Sequence, residues 1–192
     1  MKAISIIVLL AVLLLAAFSF WLRSRETSNR TLAQDAPMSS AKTTSSLPVG
    51  PIAPDIATDT WLNSARLSAA DLRGKVVLVE FWTFGCINCR NVIPALRSWH
   101  DKYSDQGLVI IGVHTPEFTY EHDLANVKQA IQDQRIEYPV TLDNDFKIWN
   151  AYRVYAWPTW FILDKQGAIR FTHVGEGAYA ESEGAIVELL RE

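Results

Sequence analysis

Apolar and polar positions alternate along this chain in blocks whose periods name the elements. From Lys75 to Trp82 the residues are nearly all apolar and β-forming, as in a strand covered on both faces. Thr83-Phe84-Gly85 breaks that run. Beyond Cys86, Val92, Leu96, Trp99 and Tyr103 recur at three- and four-residue spacing, which predicts a helix with one buried face. Leu108 to His114 reads as a second buried strand, and Tyr120 to Gln134 as an amphipathic helix carrying Leu124, Val127 and Ile131 on one face. Tyr138–Leu142 reads as a third strand and Phe146–Tyr152 as a short helix. Trp160–Leu163 and Ile169–Val174 form a hairpin about Asp164-Lys165-Gln166-Gly167, and a last helix runs from about Glu181 to Leu190. Upstream, Ala53-Pro54-Asp55 followed by Trp61-Leu62-Asn63 predicts a hairpin. Ser68 is placed to cap a short helix through Leu72 that Gly74 ends. Strand–helix alternation closed by a hairpin and helix predicts an α/β domain: a central mixed β-sheet flanked by helices.

The amino end follows different rules. Ala3 to Leu22 has no charged residue and, at about 1.5 Å per residue, is long enough to cross a hydrocarbon core of roughly 30 Å as a hydrophobic helix. It is read as a signal-anchor or a cleaved signal peptide. The apolar run continues past the small-x-small site Ala17-Phe18-Ser19 into Phe20-Trp21-Leu22, which favours the anchor. Lys2 precedes the run, whereas Arg23, Arg25 and Arg30 follow it, a distribution that taken alone would keep the body of the protein inside the cell. Residues 24–50, rich in Ser, Thr, Ala, Asn and Gln without apolar periodicity, read as a flexible linker. The expected organisation is an anchor or signal over residues 1–23, the linker over 24–50 and one domain over 51–192. The net charge of −3 offers no basic footprint for nucleic acid.

The chain has two cysteines, Cys86 and Cys89, both at the junction of the first strand and its helix. Unpaired N–H groups and the helix dipole at such an end favour a thiolate. Two sulfurs at this spacing can close a small disulfide ring, so that one attacks a partner's disulfide and the second resolves the mixed species. A structural zinc site would need further ligands, and His100, His114, His122 and His173 are scattered without ligand spacing, so no metal is expected. Glu80 is the one charge in an apolar strand. If buried, its acidity weakens toward a range useful for accepting the proton of Cys89; the bland reading is a side chain reaching solvent at the strand's end.

The stretch resembles the thioredoxin superfamily. Glu80 stands where that family keeps a buried carboxylate, Trp82 matches its aromatic ahead of the site and Pro94 its helix proline. Trp157-Pro158-Thr159 looks like its cis-proline loop. His114-Thr115-Pro116-Glu117-Phe118 after the next strand is similar to TlpA-like redoxins, most of all to the periplasmic domain of DipZ-type cytochrome c biogenesis proteins. The resemblance covers about residues 51–180. It implies a thioredoxin-like fold preceded by the hydrophobic helix, and a thiol:disulfide oxidoreductase outside the cytoplasmic membrane working through a Cys86–Cys89 redox disulfide. It implies no cofactor. Implied partners are protein thiols or disulfides, such as apo-cytochrome c, and a membrane thiol electron donor.

In that family the cis bond sets the preceding backbone beside the thiols, so Trp157 N–H and C=O would pair with an incoming strand; a trans Pro158 in an ordinary turn is the default by frequency. Trp157 and Phe84 are candidates for an apolar rim, or for core packing. His114 and Glu117 are candidates for tuning the thiols, or a structural pair. Ile87-Asn88 departs from the Gly-Pro and Pro-His dipeptides of better-known members, and without a histidine between the thiols a reductant fits better than a strong oxidant. Two alternatives remain: a peroxidase, with Thr83 three residues before Cys86 and Arg90 or Arg153 beside the thiolate, and a copper chaperone using both thiolates and a histidine.

Overall fold

In the computed structural model, the chain is described over residues 46–56 and 58–192, so the hydrophobic segment 3–22 and most of the linker lie outside the described residues. Among the described residues, no helix is long and apolar enough to cross a membrane.

Strand β2 (Val76–Trp82) is buried at every position, as its unbroken apolar run predicts. It lies inside a six-stranded sheet of order β1-β4-β3-β2-β5-β6, where β1 is Trp61–Leu62, β3 Leu108–His114, β4 Val140–Leu142, β5 Thr159–Leu163 and β6 Ile169–Val174. β2, β3 and β4 run parallel; β1, β5 and β6 are antiparallel to their neighbours. The helices are α1 (Ile87–Tyr103), α2 (Leu124–Asp133), α3 (Lys147–Ala151) and α4 (Tyr179–Arg191).

Alternation along β2 sorts the core into two layers. Val76, Leu78 and Trp82 pack with Cys89, Val92 and Leu96 of α1 and Ile186 and Leu189 of α4. Val77, Val79 and Phe81 pack on the other face with Ile148, Trp149 and Tyr152. Glu80 shares its parity with the first set, so its carboxyl belongs to the α1 face.

Three expectations are corrected. No hairpin joins Ala53–Asp55 to Trp61–Asn63: Trp61 and Leu62 pair with Thr141 and Val140, while Ile52 bridges to Ala168. Ser68–Leu72 is a turn rather than a helix, because the Asp71 carboxylate accepts both the Ser68 N–H (2.8 Å) and its hydroxyl (2.6 Å) and closes the segment on itself. The expected helix 120–134 is two elements, a 3-10 turn at Thr119–His122 and α2. Asp123 separates them with extended backbone and caps α2 by accepting the Ala125 N–H at 2.7 Å. Residues 46–50 of the segment read as linker also pack on the domain, where the Arg170 guanidinium donates to Leu47 O (2.9 Å) and Pro48 O (3.0 Å).

Candidate active site

Cys86 is the N-cap of α1, with extended backbone (φ −75°, ψ 121°) and a side chain that makes no capping bond. Its carbonyl accepts the Arg90 N–H at 3.2 Å, and its own N–H donates to Thr83 O at 3.4 Å. Both cysteines are free thiols, and their surroundings differ sharply: Cys86 is half-buried, whereas Cys89, one turn deeper, is fully enclosed. Burial first, and then the neighbouring Glu80 carboxylate, push the Cys89 thiol far above its ordinary range. The outer sulfur is therefore open to a partner, and the inner one stays protonated until a base takes its proton.

Glu80 supplies a carboxyl below that inner thiol. It pairs in register with Gly112 of β3 and Trp160 of β5 and has no solvent exposure, so the solvent-reaching reading fails. The Tyr138 hydroxyl donates to Oε2 at 3.3 Å, and Oε1 has no hydrogen-bond partner among the described residues. Burial pushes the Glu80 carboxyl up to about 8, against a smaller downward pull from Tyr138. Gly112 makes room for this arrangement: a Cβ there would lie 2.9 Å from Trp82 Nε1 and 3.4 Å from the Tyr138 ring.

The Trp157–Pro158 bond is cis. Thr159 pairs with Phe81, which places Pro158 at the level of Trp82, at the end of β2 that leads into the cysteines. Pro158 is buried. Trp157 is half-buried, its indole N–H donating to Thr115 O at 3.1 Å and its ring 4.3 Å from that of Trp149. Much of Trp157 is thus core. Phe84 is also half-buried and stacks on His114 at 5.6 Å, with Tyr120 at 5.7 Å beyond it.

His114 ends β3 without any exposure, and burial pushes its imidazole down to about 4 against the charge of Glu121, so it is neutral at neutral pH. Its Nε2 lies 3.4 Å from the Thr83 hydroxyl. Glu117 points to solvent and offers the site a backbone N–H. The carboxylate that does reach the site loop is Glu121, which accepts the N–H groups of Gly85 (2.9 Å), Glu117 (2.6 Å) and Phe118 (2.8 Å). Burial weakens its acidity, but the donors from Phe118, Thr83, Glu117 and Gly85 outweigh burial and hold it ionised, below the usual carboxylate range.

Neither Glu121 nor Tyr138 was singled out from the sequence. An acid three residues after Phe118 at the start of a helical turn is half of a capping box, and that signal was available for Glu121. Arg90 and Arg153 are exposed.

The model of the AhpC/TSA family matches residues 49–172, well over half of the chain. Protein DipZ of Mycobacterium tuberculosis is 41% identical over 144 residues, covering 73% of this chain and 21% of its own length. The chain thus spans about a fifth of that relative. The thiol-disulfide oxidoreductase ResA of Bacillus thuringiensis is 30% identical over 130 residues, 68% of this chain and 72% of ResA. Among solved structures, a thiol:disulfide interchange protein DsbE from Chlorobium tepidum superposes with a TM-score of 0.66 at 25% identity, covering 76% of this chain and 99% of that one. With a C-x-x-C pair at a strand–helix junction, a buried carboxyl beneath it and a cis proline at the same sheet end, the chain belongs to the AhpC/TSA family, as a thioredoxin-like redoxin of the TlpA type.

Proposed function

We propose that this chain is a thiol:disulfide oxidoreductase that reduces exported proteins. The observation that carries the reading is the stacked trio: a half-buried Cys86, an enclosed Cys89 and a Glu80 carboxyl poised near neutrality beside it. The Cys86 thiolate attacks a client disulfide, forming a Cys86–client bond and releasing the client's other sulfur as a thiolate. Glu80 in its ionised form, whose share grows as pH nears 8, then takes the Cys89 proton. The Cys89 sulfur attacks Cys86, closes the Cys86–Cys89 disulfide and expels the client's second sulfur, so two electrons pass to the client. No cofactor takes part. A membrane thiol donor restores the dithiol. Trp157 N–H and C=O, ahead of Pro158, pair with the client strand, and Phe84 forms part of the rim. His114, kept neutral, backs Phe84 and sets the polarity around the thiols.

The hydrophobic stretch within residues 1–23 anchors the protein, the linker ahead of residue 46 tethers it, and the domain, with residues 46–50 packed on it, works outside the inner membrane. Apo-cytochrome c fits as a client, because its haem-binding thiols must be reduced. Ile87-Asn88 between the cysteines fits a reducing poise.

Insulin-disulfide reduction compared with hydrogen peroxide consumption tests the reading. Insulin turnover dependent on Cys86 is expected. Peroxide consumption outpacing it would establish the peroxidase instead, and stoichiometric copper after purification under reducing conditions would favour the chaperone.

A further inference from the structure

Glu121 is an ionised carboxylate with no solvent exposure, and the reaction just described gives it no task. Its two oxygens divide the work. Oε1 accepts the Gly85 N–H (2.9 Å), one residue before the attacking cysteine. Oε2 accepts the N–H groups of Glu117 (2.6 Å) and Phe118 (2.8 Å) in the neighbouring loop. Gly85 accommodates the contact because it has no side chain: a Cβ would lie 2.4 Å from Oε1 and 2.7 Å from the Tyr120 hydroxyl. The loop so fixed carries Phe118 and Tyr120, about half exposed and stacked at 5.7 Å with 3° between their planes; Tyr120 in turn meets Phe84 at 5.7 Å. An aromatic ridge therefore runs unbroken from beside Cys86 out to Phe118.

We propose that Glu121 is a positioning residue that locks the Thr83–Gly85 turn to the 117–121 loop, holding the attacking sulfur in register with an aromatic ridge that takes the client chain flanking its cysteine. The inference rests on the oxidoreductase reading and extends it to selection of protein over small-molecule disulfides. The occupant is a protein segment because the ridge is continuous with the thiol site and, stacked as it is, presents flat apolar surface at little ordering cost. A small disulfide meets Cys86 alone.

Glu121→Gln isolates the clamp. A carboxamide has one acceptor oxygen; with that oxygen on the Glu117 and Phe118 N–H groups, its NH2 faces the Gly85 N–H, and two donors repel. Gly85→Ala attacks the same contact from the other side and serves where the first variant folds poorly. Amide exchange at Gly85 is expected to speed at least tenfold over wild type in either folded variant. kcat/KM for insulin reduction is expected to fall at least tenfold, and that for a small aromatic disulfide severalfold less. Gly85 exchange within twofold of wild type, or equal losses on both substrates, would overturn the proposal. Exchange is read without any client, so it tests the clamp even if insulin is not reduced by the wild-type chain.

Discussion

Replacing Glu80 by Gln should flatten the pH dependence of stability. The Glu80 carboxyl is pushed up to about 8 in the folded chain, from an ordinary value of 4.5. Below 4.5 both folded and unfolded chains hold the proton and the group is neutral in its effect. As pH rises above 4.5 the unfolded chain ionises while the folded one stays protonated, so the folded state binds more protons and loses stability until about pH 8. A difference of 3.5 units between the two values corresponds to roughly 5 kcal/mol in full, of which about 3.5 kcal/mol falls between pH 5 and pH 8. Gln cannot ionise, and its oxygen can still accept the Tyr138 hydroxyl bond (3.3 Å in the wild type). Its NH2 meets a buried environment, which adds a fixed cost of about 1–3 kcal/mol at every pH. The absolute stability of the variant is therefore uninformative, and its slope is the signal. Urea unfolding of both reduced proteins at half-unit steps from pH 5 to 8 measures it. Wild type should lose ground to the variant by about 3.5 kcal/mol over that window. A difference that stays flat within 0.5 kcal/mol, roughly the scatter of such extrapolations, would mean that Glu80 titrates as an ordinary carboxylate, too weak a base to draw a proton from a thiol.

Tyr138→Phe removes the hydrogen bond that partly opposes the effect of burial on Glu80, so the pH midpoint of mixed-disulfide resolution should move up by roughly one unit in stopped-flow traces. Asp164→Asn leaves the buried Arg170 with only its Glu192 and carbonyl contacts and should cost about 3 kcal/mol in urea unfolding. Because Asp164 sits just past the end of β5 remote from Pro158, insulin turnover by the folded variant should stay within twofold of wild type.

What could be read from the sequence were the elements that bury their own apolar pattern. β3 and β6 run over the residues that periodicity assigned, and β2 and α1 over nearly the same ones, because each is specified by neighbours a few residues away. Trp61 and Leu62 failed as a hairpin because their partners, Thr141 and Val140, lie about 80 residues on, and no local pattern encodes that pairing. Asp123 lies inside the 120–134 stretch whose apolar spacing predicts one helix. Its capping bond to the Ala125 N–H begins α2 and leaves Glu121 in the preceding 3-10 turn, where its carboxylate accepts the Gly85 N–H, a long-range contact that no local pattern encodes. Tyr138 was read as the start of a strand; its hydroxyl reaches Glu80 across 58 residues of sequence. The cysteines and Glu80 are legible because strand, turn and helix supply their setting locally, whereas the cis Trp157–Pro158 bond is reached only through the thioredoxin resemblance.

In the proposed cycle Cys86 bonds to a client and Cys89 releases it. The most direct measurement uses the full-length Cys89→Ser chain expressed in cells, quenched with acid, alkylated and run without reductant. Client adducts through Cys86 are expected, collapsing on adding dithiothreitol and missing from a Cys86→Ser, Cys89→Ser double variant. A Cys89→Ser chain that runs as free monomer while the wild-type protein cycles its disulfide would contradict that cycle.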